Sequence, residues 1–172
     1  MKLLRNLSMA FALVLLGISV VNAQTTRKEK QAKRQAEVKS IVEAQNYVFK
    51  ANYVNPMRGV GRALTSEYDL VVSKDTIIAF LPYFGRAYVA PTNPSEGGIK
   101  FTTTKFSYEA KPGKNGSYKI VIKPMDKDMT NWRDVQSMRL DISADGYASL
   151  NVSSTNRDNI SFNGTIETRG TR

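Results

Sequence analysis

Two residue types are missing from this chain altogether. None of its 172 residues is a cysteine or a histidine. That excludes disulfide cross-links, thiolate nucleophiles, imidazole bases, Cys/His zinc sites and a Ser-His-Asp triad. Acidic side chains are few, 15 against 25 lysines and arginines, which leaves a formal net charge of +10. Beyond Val21 there is no long apolar run. Acid–base chemistry would therefore fall to carboxylates, lysine or tyrosine. The apolar fraction of 41% is far above that of disordered chains, so a packed core is within reach, and the length suits one domain.

The first residues read as an export segment. Lys2 and Arg5 precede an apolar stretch from Met9 to Val21, and Val21-Asn22-Ala23 offers a small residue at the cleavage point. The apolar stretch is shorter than the ~20 residues that span a bilayer, so a cleaved signal is expected and no transmembrane anchor after its removal. No cysteine follows Ala23, which excludes a lipoprotein anchor. An exported chain without cysteine fits the periplasm or cell surface of a Gram-negative bacterium better than a disulfide-built secreted domain.

Loss of residues 1–23 would leave 23 basic and 15 acidic side chains, a net charge of +8. Half of that surplus lies between Arg27 and Lys39. Residues 25–44 hold no proline or glycine and are rich in helix formers. Apolar residues concentrate at the end of this stretch, where Ile41, Val42 and Val48 are expected to form the buried stripe, with fraying before Val38. Arg27, Lys28, Lys30, Lys33 and Arg34 could meet an anionic envelope surface; a nucleic-acid partner does not fit an exported chain.

From Tyr47 the apolar period shortens to two. Strands are predicted at 47–54, 66–73, 76–81, 99–103, 105–111, 117–123, 137–143, 147–153 and 160–167. The fold class is mainly β, an antiparallel sandwich or partly closed barrel of about 8–9 strands with one N-terminal helix. The expected layout is a signal at 1–23, a basic, partly frayed helix at 24–45 and a β domain at 46–172.

Register follows from keeping both apolar rows of a hairpin on one face. A two-residue turn at Asp145-Gly146 would set those rows on opposite faces. A three-residue loop, Ala144-Asp145-Gly146, pairs Ile142 with Ala148, Leu140 with Leu150 and Met138 with Val152. It predicts a type I turn with Gly146 left-handed in a G1 bulge. The same argument predicts a five-residue loop from Pro112 to Gly116, aligning Ala110 with Tyr118, Tyr108 with Ile120 and Phe106 with Ile122. At Lys74-Asp75 either parity works.

Chemistry-bearing motifs are weak. Asp126, Asp128, Thr130 and Asn131 lie in a run that lacks the central glycine and distal glutamate of a calcium loop. Gly59-Val60-Gly61 has no third glycine and reads as a bend or bulge between the first two strands. No metal, cofactor or catalytic residue is assigned. The most distinctive stretch surrounds Tyr83, Phe84, Arg86 and Tyr88, where Pro82 and Gly85 interrupt a strand and rings alternate with a cation. Such rings can close the end of a β core or form a recognition patch. Trp132 and Arg133 are candidates for the same patch.

Several segments together resemble a known family: Tyr68 to Asp75, Leu-Pro-Tyr-Phe-Gly-Arg at 81–86, Gly97 to Phe101, Asp145 to Val152, Arg157, and Ile160 to Gly164. They are similar to small exported Bacteroidetes proteins known only as a domain of unknown function. The resemblance implies an envelope location, an N-terminal helix and a β domain. It brings no activity, substrate or catalytic residue.

The function expected from all this is a non-catalytic binding or interaction module of the envelope, with a small molecule, glycan or envelope protein as partner. One alternative is a hydrolase using two of Glu67, Asp69, Glu109, Asp126, Asp128 and Asp141, which would need two carboxyls facing one cleft. Another is a structural or assembly factor tethered by its basic helix.

Overall fold

The computed structural model describes residues 27–89, 97–126 and 134–170. Residues 27–43 form helix α1, and nine strands follow. These are β1 (Tyr47–Pro56), β2 (Arg62–Val72), β3 (Ile77–Leu81), β4 (Ile99–Thr103), β5 (Phe106–Pro112), β6 (Tyr118–Pro124), β7 (Val135–Ile142), β8 (Tyr147–Ser154) and β9 (Ile160–Thr168). The expected signal lies outside the described residues. Among the described residues no helix is long and apolar enough to cross a membrane.

All nine strands belong to one antiparallel sheet, in the order β4-β3-β2-β1-β9-β8-β7-β6-β5. The first and last strands pair, so the sheet curls into a nearly closed barrel whose one gap separates β4 from β5. Parity explains the gap. With every neighbouring pair antiparallel, β4 and β5 must run in the same direction, and a parallel pair needs a crossover of a dozen or more residues. Only Thr104 and Lys105 join them, so the chain turns a corner instead. The Thr103 hydroxyl donates to Asp126 Oδ1 (2.6 Å) and accepts from the Lys105 N–H (3.0 Å), while the Met125 N–H donates to the Lys105 carbonyl (2.8 Å).

The interior is one apolar cluster. Phe49, Leu70, Leu140, Leu150 and Phe162 are fully buried at alternate strand positions, as period two requires. Each buries side-chain surface worth about 1.5–3 kcal/mol. Helix α1 adds Val38, Ile41 and Val42. Val48, expected to share that stripe, is only half-buried, because the chain has already entered β1 and alternation turns Val48 to the outer face.

Helix α1 docks on the end of the barrel holding the β7–β8 turn and the C-terminus of β9. Arg34 Nη2 donates to the Ile166 carbonyl (2.8 Å) and Nε to the Asp145 carbonyl (3.3 Å). Glu37 accepts from the Thr168 hydroxyl (3.3 Å).

The β7–β8 hairpin has the predicted register, with Met138, Leu140 and Ile142 opposite Val152, Leu150 and Ala148. The Gly146 N–H donates to the Ser143 carbonyl (3.0 Å), and Gly146 takes φ +87°. The β5–β6 hairpin is corrected by two residues. Ala110 faces Ile120, Tyr108 faces Ile122 and Phe106 faces Pro124. Faces are unchanged, but the ladder runs on until the Gly113 N–H reaches the Ser117 carbonyl (2.7 Å), and Asn115 and Gly116 turn the chain with positive φ. Pro112 did not end the strand because β5 is a sheet edge, where a missing N–H leaves no ladder bond unmade. At Lys74-Asp75 the turn has two residues, closed by the Ser73 N–H on the Thr76 carbonyl.

Strand β1 carries a bulge. Its pairing with β9 passes from Ala51↔Gly164 to Tyr53↔Asn163, leaving Asn52 as an extra residue. Here β1 presses onto β9 so closely that a Cβ on Gly164 would lie 1.9 Å from the Lys50 carbonyl oxygen.

Candidate binding surface

At the end of the barrel away from α1, the segment after β3 is stitched to the β8–β9 connection. Pro82 ends β3, and Gly85 lets the chain double back under the Tyr83 ring, since a Cβ there would lie 2.7 Å from Tyr83 Cζ. The Tyr88 N–H then donates to the Asn156 carbonyl (2.8 Å), and the Asp158 N–H to the Arg86 carbonyl (3.0 Å), around an isolated antiparallel bridge between Ala87 and Arg157.

Beneath this ladder is a buried ionic cluster. Arg157 and Asp134 have side chains 1% and 2% exposed and pair bidentately, Nη2 to Oδ1 and Nε to Oδ2. Arg157 Nη1 also donates to the Gly98 carbonyl (3.1 Å), and Asp134 accepts the Asn156 N–H (3.1 Å). The cluster thus fixes the three connections β3–β4, β6–β7 and β8–β9 together. The Arg157 guanidinium lies over the Tyr83 ring, 4.9 Å from its centroid.

Tyr83 and Tyr88 divide their roles. The Tyr83 hydroxyl points inward, towards the carbonyls of Arg86 (2.8 Å) and Asp158 (3.0 Å). Burial, opposed by Arg157 and reinforced by Asp158 and Asp134, pushes its pKa up to about 12. Tyr88 is 58% exposed, and its hydroxyl donates to Asp158 Oδ1. That hydrogen bond is the main reason its pKa is raised. The Asp158 side chain is 3% exposed; among the described residues its Oδ2 has no hydrogen-bond partner, and Arg58 Nε lies 3.7 Å away.

Outward from this base are apolar side chains and guanidiniums. Phe84, Tyr88, Val89, Met57 and Val60 are exposed. Arg62 lies 4.6 Å over the Phe84 ring and Arg86 5.8 Å from the Tyr88 centroid. Of the residues singled out in the sequence, Tyr83 closes the core, while Phe84, Arg86 and Tyr88 face solvent. Trp132 and Arg133 lie outside the described residues. Sequence reasoning missed Arg58, Arg62, Asp134 and Asp158 as members of this end. The only hint was a compact run of opposite charges, Asn156-Arg157-Asp158-Asn159, between two strands.

Among the described residues no three acidic side chains come together as a metal site would require. Of the carboxylates named for hydrolysis, Glu67 and Asp69 on β2 line one open cleft, whereas Glu109 (β5), Asp126 (after β6) and Asp141 (β7) lie elsewhere. Asp128 lies outside the described residues. Asp126 is engaged by Thr103.

A family model described as a domain of unknown function, DUF4251, matches residues 29–166. The chain belongs to the DUF4251 family. No curated protein matches it. A crystal structure of a DUF4251 family protein from Bacteroides eggerthii DSM 20697 shares the fold, with a TM-score of 0.56 at 16% identity over 80% of this chain and 91% of that one. The match spans α1 and nearly all of the barrel, so the helix is part of the DUF4251 unit rather than an appendage.

Proposed function

We propose that this DUF4251 protein is an exported, non-catalytic binding module of the cell envelope, engaging an anionic partner through Phe84, Tyr88, Arg58, Arg62 and Arg86. The observation that carries the reading is the mounting of exposed ring and guanidinium pairs on a rigid, buried Arg157–Asp134 base. Stacked guanidiniums keep their outer N–H groups free for carboxylate or phosphate, and the rings supply apolar contact area at small entropic cost. Among the described residues, the buried carboxylates Asp134 and Asp158 accept from internal donors, the Asn156 N–H and the Tyr88 hydroxyl, rather than facing solvent. Export rests on the sequence of residues 1–23.

Native mass spectrometry of the protein purified from its own host, beside an Arg62→Glu/Arg86→Glu variant, tests this. A retained small molecule or acidic protein that the variant loses supports the proposal. Equal retention by both, or none by either, overturns it. Recovery of a chain starting at Gln24 from the envelope fraction supports export, and Met1 on a cytosolic product opposes it.

A second role, tethering to an anionic envelope surface, draws on the exposure of Arg27, Lys28, Lys30 and Lys33 along one run of α1. Arg34 belongs to the barrel contact instead. Loss of low-salt association with isolated envelopes when those four become glutamine would support the tether; unchanged association would end it.

A further inference from the structure

We infer that a second site, independent of the arginine and aromatic end, lies on the outer face of the sheet and takes a neutral carbohydrate chain. One register row crosses five strands there: Lys119 faces Asp141, Asp141 faces Ser149, Ser149 faces Asn163, and Asn163 faces Tyr53. Their sequence neighbours Ile120, Leu140, Leu150, Phe162 and Val54 are buried, so alternation turns this row to solvent. At about 4.8 Å per strand the row extends over about 19 Å. With Tyr147, 69% exposed in the adjoining row, these side chains line an open cavity of about 640 Å³.

The tyrosine at the end of the row is placed by a dedicated device. Tyr47, Phe49 and Ala51 point inward, so strict alternation would bury Tyr53. The extra residue Asn52 reverses the parity and sends Tyr53 out. Two glycines make this possible: Gly164 admits the Lys50 carbonyl, and Gly61 leaves room for the Tyr53 ring, whose Cε1 would lie 2.7 Å from a Cβ at 61.

The chemistry of the row selects the ligand. None of these six side chains has a hydrogen bond or ion pair to the described residues. An amide, a hydroxyl, a carboxylate and an ammonium at regular spacing can exchange donors and acceptors with successive sugar hydroxyls. The tyrosine rings offer flat apolar surface to the C–H faces of a sugar. Lys119 opposite Asp141 leaves the row formally neutral, on a chain of net charge +10, so it offers an acidic polymer no particular attraction.

Native gel electrophoresis of the full protein through embedded glucan, mannan or xylan, with polygalacturonate as the acidic control, tests the site. We expect retardation by at least one neutral polymer. Asn163→Ala and Tyr147→Ala, both at exposed positions, should each weaken it roughly tenfold, the scale of one or two lost contacts. Arg62→Glu/Arg86→Glu should retain it. No retardation by any neutral polymer, retardation by polygalacturonate alone, or retardation untouched in an Asn163→Ala/Tyr147→Ala variant with wild-type melting overturns the inference.

Discussion

Arg157, in the turn between β8 and β9, holds both carboxylate oxygens of Asp134 at the entry to β7, and neither side chain reaches solvent. A buried pair of this kind is weak as net stabilisation, because desolvation cancels much of the attraction. Its value is positional, since the same guanidinium also ties down Gly98 and stacks on Tyr83.

Breaking that pair from one side should be severe. Arg157→Ala leaves the Asp134 carboxylate buried without its cation and should cost about 3–5 kcal/mol in a urea titration. Replacing both with apolar residues of similar volume should recover much of the loss. A cost below about 1 kcal/mol for Arg157→Ala would show that the pair is solvated.

Tyr88→Phe should destabilise the protein although the ring is mostly exposed. Its hydroxyl donates to Asp158 Oδ1, and among the described residues the other oxygen of that carboxylate has no donor. Leaving a buried carboxylate without its donor costs about 1–3 kcal/mol. Phe84→Ala, with no such duty, should stay near about 0.5 kcal/mol. Thermal melts of the two variants side by side check the ordering.

The two close-packed glycines should differ in kind. Gly146→Ala meets a positive φ and the movable end of Arg34, 2.7 Å from the new Cβ, and should cost about 1–2 kcal/mol. Gly164→Ala meets the backbone carbonyl of Lys50 and should cost more than about 3 kcal/mol or prevent folding. Asp145→Ala, on the exposed side of the Gly146 turn, should cost less than about 1 kcal/mol. Denaturant midpoints and soluble yield separate the cases.

Alkali should loosen the fold through its tyrosines. Burial raises the folded pKa of Tyr83 to about 12 and that of Tyr47 well above its ordinary value. For a group whose folded pKa is raised, stability is intact below the unfolded pKa, about 10 for tyrosine, and is lost as pH climbs through the folded value. Melting temperature should therefore fall between about pH 10 and about pH 12. Tyr83→Phe should flatten part of that fall. A melting temperature constant across this window would refute the shifts.

The strands were legible because burial on one face of a sheet writes itself into the chain at period two. The β7–β8 register was equally legible, since Leu140 and Leu150 can share a face in only one parity. The β5–β6 hairpin differs by two residues from the register its sequence suggests, because Pro112 is a terminator only where its N–H is missed, and nothing local says that β5 is an edge. In the candidate surface, Tyr83 to Tyr88 stood out by composition. Arg58, Arg62 and Asp158 did not, for their meaning lies in partners 22 or more positions away, such as Phe84 beside Arg62 or Arg58 beside Asp158.

By itself the sequence determined a mainly β fold of about 8–9 strands, the shared apolar face of the β7–β8 hairpin, and which chemistries are ruled out by the lack of thiol and imidazole. Only the tertiary structure decided that β1 closes on β9, that β4 and β5 stay apart, that Asn52 turns Tyr53 outward, and that Arg157 finds Asp134. The division has a physical cause. Burial acts on each residue separately and repeats along the chain, whereas ladder closure, bulges and desolvated ion pairs gain their energy only when distant segments meet.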